Sequence, residues 1–215
     1  MGSVLRRRDF NLQALSLCAS GLWPVAALAG ASNTLLIVGD SLSAEYGIAR
    51  GSGWVALLAS QLAKDKPQWQ VINASISGDT TAGGLARLPA LLEQHRPQVV
   101  VIELGGNDAL RGFSLNMTES NLTRMVSACR KAKASVLLIG MQVPPNYGAD
   151  YAQAFSQLFK TISQQQHSQL VPFLLKGIAD SDDATALFQA DRIHPKAEAH
   201  PLILANVWPV LKKML

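Results

Sequence analysis

The 215-residue sequence contains few cysteines and few charged residues, and beyond its first 30 residues it has no apolar run of membrane-spanning length. With only Cys18 and Cys129, the chain cannot form a disulfide-rich scaffold or a zinc module of the cysteine type. Charged residues make up 16% and apolar residues 48% of the chain, which argues against disorder and for a sizeable core. The length predicts a single domain.

The N-terminal segment has the layout of a secretory signal peptide. Three arginines at positions 6–8 precede an apolar stretch over residues 12–28. This stretch is short for a membrane span and is interrupted by Gly21 and Pro24, so a cleaved signal is favoured over a membrane anchor or a first buried helix. We therefore expect residues 1–29 to be removed on export.

The cleavage site and the export route have alternatives. Cleavage is expected after Ala29, with Ala31 as the next choice, and it leaves residues 30–215 as a mature domain in the periplasm or outside the cell. Residues 7–10 (RRDF) are similar to the twin-arginine export pattern, but an ordinary basic region fits equally well. A lipoprotein role for Cys18 is disfavoured because the preceding leucine is too large for that site.

Removal of the signal segment also changes the charge of the protein. The full chain carries a net charge of +4, and residues 30–215 keep 16 basic and 14 acidic residues, for a net charge of +2. No dense run of Lys and Arg remains, so nucleic-acid binding loses its electrostatic support. No His, Asp and Glu cluster has metal-ligand spacing. We expect no nucleic-acid partner, no stable membrane span, no metal and no cofactor.

Apolar runs that suit strands alternate along the chain with segments that suit helices. The strand-like runs are residues 34–38, 71–72, 99–104, 136–139 and 170–174, and the helix-like segments are residues 54–62, 85–94, 118–133, 151–166 and 197–211. The third run is almost continuously apolar, as expected of a strand covered on both faces. The alternation predicts one α/β domain with three layers, α/β/α, around a mostly parallel five-stranded sheet.

Three predicted strands run into polar segments that contain glycine. Ser41 follows the first strand, after Gly39, which we expect to allow a tight turn. Gly78 follows the second strand and offers a backbone N–H, and Asn107 follows the third and offers a side-chain amide. Ligands of parallel sheets bind at these strand ends. Singly, each residue also has a plainer interpretation as a helix cap or a turn residue. A phosphate-binding loop is not favoured, because the spacing lacks both GxGxxG and GK[ST].

An acid and a histidine near the C-terminus form a second candidate pair. Asp191 precedes His194 by three residues, and the proline after His194 disfavours a helix there. A turn can therefore fold Asp191 onto one ring nitrogen and leave the other facing Ser41. Two unrelated surface side chains are the alternative. His200 also precedes a proline, but it has a single acid nearby and is the weaker candidate base.

The chain order Ser, Gly, Asn, His resembles that of the SGNH (GDSL-type) hydrolases. The matching segments are residues 39–43 (GDSLS), 77–79 (SGD), 105–108 (GGND) and 191–194 (DRIH). A closer likeness, to the bacterial periplasmic thioesterase I/protease I/lysophospholipase enzymes, lies in residues 73–80, 83–94, 103–113 and 144–148. The resemblance covers essentially the whole mature chain, and residues 174–191 fit it less obviously.

This resemblance implies a flavodoxin-like fold and a serine acyl hydrolase. Ser41 is then the nucleophile, His194 the base and Asp191 the group that orients it. The resemblance places the oxyanion between the N–H groups of Ser41 and Gly78 and the Asn107 amide. The substrate is then a small acyl ester or thioester, no metal or cofactor takes part, and the protein is expected to be a monomer.

Residues 109–114 directly follow the predicted oxyanion donor and are expected to form a wall of the acyl site. Leu110 and Phe113 would supply its apolar surface, although both side chains could instead anchor the segment to the core. A carbohydrate deacetylase and a non-catalytic periplasmic binding domain are alternatives for the chain as a whole. The presence of Ser41, Asp191 and His194 together speaks against the second alternative.

Overall fold

The computed structural model describes residues 32–215 except 182 and 184, so the predicted signal peptide and both cleavage sites lie outside the described residues. The strands are β1 (Asn33–Gly39), β2 (Trp69–Asn73), β3 (Val99–Glu103), β4 (Ser135–Ile139) and β5 (Gln169–Val171). The helices are α1 (Trp54–Asp65), α2 (Thr81–His95), α3 (Gly106–Leu110), α4 (Leu115–Lys131), α5 (Ala149–Gln166) and α6 (His200–Leu211). Short 3₁₀ turns cover Pro145–Tyr147 and Ala197–Ala199.

The five strands form one sheet in the order β2-β1-β3-β4-β5, and every neighbouring pair is parallel. The predicted α/β domain with a five-stranded sheet is thus confirmed. From β1 the chain moves outward to β2, and it then returns to β3 on the other side of β1. The order therefore reverses between β1 and β3, and this is the point at which open α/β sheets bind their ligands. Gly39 at the end of β1 lies opposite Glu103 at the end of β3.

Two groups of helices cover the sheet. Helices α1 and α6 pack against each other, and α4 packs against both α2 and α5. The middle of the sheet is closed to solvent: residues 35–38 of β1 and residues 100–102 of β3 have no exposed surface. Full burial of each such side chain contributes about 1.5–3 kcal/mol, and a sheet buried on both faces explains the continuous apolar runs. Over the described part of the chain, no helix combines the length and hydropathy that a membrane crossing requires.

Three elements differ from the sequence-based expectation. The last strand was predicted over residues 170–174, but β5 ends at Val171, because the next bond to the carbonyl of Gly140 comes from the N–H of Leu174 and not from Phe173, one residue out of the ladder register. No helix was predicted over residues 106–110, which form the short helix α3. The C-terminal helix was predicted from residue 197 and starts at His200, with Pro201 in the first turn, where its missing N–H leaves no helical bond unmade.

Candidate active site

The serine after β1 and the acid–histidine pair before α6 meet at the carboxyl edge of the sheet. The Oγ atom of Ser41 lies 2.8 Å from Nε2 of His194. On the other side of the ring, Nδ1 of His194 lies 2.7 Å from Oδ2 of Asp191. The second carboxylate oxygen accepts hydrogen bonds from the backbone N–H groups of Ile193 and His194, at 2.9 and 3.0 Å. The fold thus joins three side chains from opposite ends of the chain into one hydrogen-bonded row.

The charge on Asp191 determines which histidine nitrogen carries the proton. Desolvation would raise the pKa of Asp191, but the hydrogen bonds from His194 and Ile193 outweigh it and lower the pKa to about 2. The carboxylate is therefore ionised at neutral pH and can only accept. This places the ring proton on Nδ1 and leaves the lone pair of Nε2 facing the Ser41 hydroxyl.

Gly78 follows β2 and Asn107 follows β3, and these two strands are the neighbours of β1, which precedes Ser41. Gly78 has φ +77°, a left-handed conformation that favours glycine, and its carbonyl accepts a 2.8 Å hydrogen bond from Arg111. The amide of Asn107 lies in α3, and its Nδ2 atom donates to Oδ2 of Asp40 at 2.9 Å. An amide nitrogen has two hydrogens, so this bond orients the side chain and leaves the second N–H for a ligand.

A buried polar network beneath the serine loop was not found from the sequence. Oε2 of Glu103 accepts from the Ser43 hydroxyl at 2.8 Å and from the Asp40 N–H at 3.3 Å. The Ser43 hydroxyl in turn accepts from the indole of Trp54 at 3.2 Å. The sequence does contain one signal for this network: Glu103 is an acidic residue at the end of an otherwise apolar strand. A carboxyl group in that position is buried with the strand and needs partners.

Burial changes the ionisation of the two carboxyl groups in this network. Burial, and then the nearby charge of Asp40, raise the pKa of Glu103 well above its ordinary value. Burial also raises the pKa of Asp40 to about 6, although hydrogen bonds from Leu42 and Asn107 oppose the shift. Burial therefore favours the neutral form of Glu103, whereas Asp40 is largely ionised at pH 7 and can accept from Asn107.

The reason for glycine at position 39 differs from the predicted tight turn. Gly39 is the last residue of β1, in the strand ladder. A Cβ atom at this position would lie 2.8 Å from Oε2 of Glu103 and 2.9 Å from Oγ of Ser43. Glycine is required because the buried network approaches the backbone closely, and the turn-based explanation is wrong.

Two further acids hold the segments that carry Gly78 and Asn107. Asp108 has no exposed surface, and it accepts from the backbone N–H of Thr81 at 2.9 Å and from the hydroxyl of the same residue. This fixes α3 to the first turn of α2. Asp79 forms a 2.8 Å ion pair with Arg87, whose guanidinium also donates to the carbonyl of Ala74. The candidate donors therefore lie on segments held by charge-assisted bonds.

Of the remaining candidate residues, Leu110 and Phe113 follow Asn107 closely along the chain, whereas His200 caps a helix. Leu110 ends α3 and is 48% exposed, and Phe113 follows in the next turn, half-buried. His200 is buried, and its Nδ1 atom accepts the N–H of Trp54 at 3.0 Å, at the start of α1. Burial lowers the pKa of His200, so the neutral ring caps this helix and takes no part in the Ser41–His194 row.

Known proteins are similar to this sequence over most of its length. The family model described as the GDSL-like Lipase/Acylhydrolase family matches residues 37–202. The chain is 51% identical over 185 residues to esterase TesA of Pseudomonas aeruginosa, which covers 86% of this chain and 90% of that protein. It is 43% identical over 175 residues to thioesterase 1/protease 1/lysophospholipase L1 of Escherichia coli, covering 81% of each protein.

Solved structures of esterases are also similar to this chain. The crystal structure of TesA superposes with a TM-score of 0.82 at 51% identity, over 85% of this chain and all of that chain. The psychrotrophic esterase EstA from Pseudoalteromonas, in a structure inhibited by monoethylphosphonate, gives a TM-score of 0.78 at 43% identity, over 84% of this chain and 97% of that chain. With the fold and the family match together, the chain belongs to the GDSL-like lipase/acylhydrolase family, the SGNH hydrolases, and is an ester hydrolase.

Proposed function

We propose that the enzyme hydrolyses fatty-acyl esters and thioesters with Ser41 as nucleophile, His194 as base and Asp191 as the group that orients the base. The observation that carries this proposal is the 2.8 Å contact between Ser41 Oγ and His194 Nε2, with the Asp191 carboxylate behind the ring. A serine hydroxyl is a weak nucleophile at neutral pH and needs a base in hydrogen-bond reach. The Nδ1–H tautomer set by Asp191 gives that base its free lone pair.

The reaction then follows in two halves. Ser41 Oγ attacks the acyl carbon while its proton moves to Nε2 of His194, and the carbonyl oxygen becomes an oxyanion. The intermediate collapses, the bond to the alcohol or thiol breaks, and His194 returns its proton to that leaving group. Water then attacks the acyl-serine with His194 again as base, and the fatty acid and free Ser41 are released.

The proposed oxyanion site consists of the N–H groups of Ser41 and Gly78 and the second N–H of the Asn107 amide. These residues follow the three neighbouring strands β1, β2 and β3. Each such donor contributes about 10²–10³ in rate. Amides have a poorer leaving group than thioesters and activated esters, and the proposed donors and base do not compensate for that difference. Thioesters and activated esters should therefore react faster than amides.

The test uses single variants and a covalent probe. We expect Ser41→Ala, His194→Ala and Asp191→Asn each to lose at least about a thousandfold in kcat on p-nitrophenyl esters while remaining folded. The double variant of Ser41 and His194 should be little worse than either single variant, because the residues act together. His167→Ala, an exposed histidine beyond α5, serves as the matched control and should keep full activity.

A fluorophosphonate probe reports on the nucleophile directly. It should label wild-type protein at Ser41 and leave Ser41→Ala unlabelled, a design supported by the inhibition of the related esterase EstA by monoethylphosphonate. Labelling at another residue, or an active Ser41→Ala protein, would show that the nucleophile is misassigned. Higher rates on acetylated sugars than on long-chain esters would favour a deacetylase instead.

We also propose that residues 1–29 are a signal peptide, that residues 30–215 form the mature domain and that this domain is a periplasmic or secreted monomer. The basic start, the apolar stretch and the small-x-small pattern of residues 27–29 (ALA) support this location. N-terminal sequencing of exported protein should give Gly30, and size-exclusion chromatography with light scattering should give one chain per particle. An active enzyme that retains Met1 in the membrane would contradict the signal peptide.

A further inference from the structure

The aromatic ring of Tyr46 lies against the imidazole of His194. The two ring centroids are 4.3 Å apart and the ring planes are inclined by 38°. Tyr46 is 49% exposed and contributes little to the core, so burial does not explain its position. Its ring adds a third neighbour to His194, besides the hydroxyl of Ser41 and the carboxylate of Asp191.

The backbone around Tyr46 holds the ring in this position. The side-chain amide of Gln189 donates to the carbonyl of Tyr46 at 2.9 Å and to the carbonyl of Pro195 at 3.0 Å, which ties the tyrosine loop to the histidine loop. The carboxylate of Glu45 accepts from the N–H groups of two glycines at the start of α1, at 2.9 and 2.8 Å. None of these bonds uses the Tyr46 hydroxyl, so the placement of the ring does not depend on it.

An aromatic ring at this distance favours one charge state of the histidine. The faces of aromatic rings attract a cation within about 6 Å of the centroid. In the proposed mechanism, His194 is neutral before the reaction and becomes an imidazolium when it takes the Ser41 proton. The attraction therefore appears only as the proton moves, and an interaction of that kind raises kcat more than it lowers KM.

We propose that Tyr46 takes a direct part in catalysis by stabilising the imidazolium form of His194 through its aromatic ring. This inference rests on the proposed function, since it requires His194 to act as the base. The charged or titratable groups that face the ring are Asp191 on the histidine's own loop, Asp40 beside Ser41, and Tyr46 itself. Replacement of Tyr46 leaves both carboxylates in place, so their effect on His194 is common to all variants compared.

The test compares Tyr46→Phe with Tyr46→Leu in the intact enzyme. Phenylalanine keeps the ring and should retain kcat within about twofold of wild type. Leucine fills a similar volume without a π system and should lower kcat by about three- to thirty-fold, with KM nearly unchanged. Because the imidazolium is then less stable, the acid limb of the kcat/KM–pH profile should move down by about 0.5 to 1.5 pH units. Circular dichroism and thermal melting check that each variant is folded.

A graded series keeps the question answerable if Tyr46→Leu does not fold. Phenylalanines with one, two and three ring fluorines, introduced at position 46 by nonsense suppression, keep the shape and weaken the cation attraction stepwise. We expect kcat to fall and the acid limb to move down with each fluorine. Equal losses in Tyr46→Phe and Tyr46→Leu, a lower kcat without movement of the acid limb, or no trend across the series would overturn the proposal.

The covalent probe separates this proposal from the one on which it rests. If the fluorophosphonate fails to label Ser41, the serine mechanism itself fails, whatever the Tyr46 variants do. If Ser41 is labelled at the same rate in wild type and in Tyr46→Leu, the serine mechanism stands and the role of Tyr46 is refuted. A labelling rate that falls in parallel with kcat supports both.

Discussion

The contact between Asp40 and Asn107 predicts a large effect from exchanging one oxygen for a nitrogen. Oδ1 of Asp40 accepts the N–H of Leu42 at 3.0 Å, and Oδ2 accepts the Asn107 amide at 2.9 Å. Asparagine at position 40 has a single acceptor oxygen and can serve only one of these donors. Asp40→Asn therefore turns an NH₂ group towards either the nucleophile loop or the proposed oxyanion donor.

The size of the effect follows from the burial of this contact. Asp40 is 2% exposed, so a donor that faces a donor is not rescued by water and costs about 1–3 kcal/mol. If the Asn107 amide loses its partner, it can flip and present its oxygen to the developing oxyanion. Loss of one oxyanion donor costs about 10²–10³ in kcat, so we expect Asp40→Asn to lower kcat by about 10- to 300-fold. KM should change by less than about threefold, because the ground-state carbonyl gains little from this donor.

A double-variant cycle tests whether Asp40 acts through Asn107. The assay measures kcat on p-nitrophenyl butyrate at pH 8, where Asp40 is ionised because its pKa is about 6. We expect Asn107→Ala to lose about 10²–10³ in kcat, and Asp40→Asn added to it to cost less than about threefold more. Thermal melting of each protein serves as the control for damage to the loop that follows Asp40.

Three results would contradict these roles of Asp40 and Asn107. An Asp40→Asn enzyme with wild-type kcat would show that the contact does not orient the amide. Additive losses in the double variant would show that Asp40 acts on the nucleophile loop and not through Asn107. A loss confined to KM would remove Asn107 itself from the oxyanion site.

Three further predictions follow from the same structure. Glu103→Gln should become more stable relative to wild type as pH rises from about 4 to 8 in thermal melts. The raised pKa of Glu103 means that the wild type has its full stability below the unfolded-state pKa and loses part of it as pH rises through the folded-state pKa. A stability difference that does not change with pH would contradict this. In the wild type, kcat/KM should rise with acyl length by ~0.8 kcal/mol per methylene, or ~100-fold over four methylenes. Leu110→Ala and Phe113→Ala should flatten this rise. Equal losses on acetyl and octanoyl esters would assign both residues to folding. Arg111→Ala should lower kcat about three- to tenfold with a smaller change in KM, because the guanidinium holds the carbonyl of Gly78; unchanged kcat would show that this bond does not position the loop.

The layered fold was open to prediction because its signals are local. Continuous apolar runs such as residues 99–104 indicate strands buried on both faces, and their alternation with helical periodicity limits the topology to a few α/β forms. Ser41, Gly78 and Asn107 could be placed at strand ends on the same basis. The end of β5 was misjudged because hydropathy alone extended the strand beyond Pro172, and α3 was missed because five residues are too few to show a period.

The partners of each side chain could not be derived in this way. Asp40, Ser43 and Glu103 are separated by up to 63 residues and become one network only when β1 and β3 pair in register. The ring of Tyr46 reaches His194 only because Gln189 joins two loops that are distant along the chain. His200 resembled a second candidate base by its sequence context, and only its buried contact with Trp54 shows that it caps a helix.

The order of the elements, the family resemblance and the residue types of an ester hydrolase can all be derived from the amino-acid sequence, because periodicity and motif spacing are properties of neighbours along the chain. Which of these residues are in contact depends on how the chain folds. Hydrogen-bond geometry is a matter of fractions of an ångström, and the 2.8 Å between Ser41 and His194 depends on the packing of the whole sheet edge. The pKa values of Asp40, Glu103 and Asp191 were decided at the same level, since burial and partners have no local signature in the sequence.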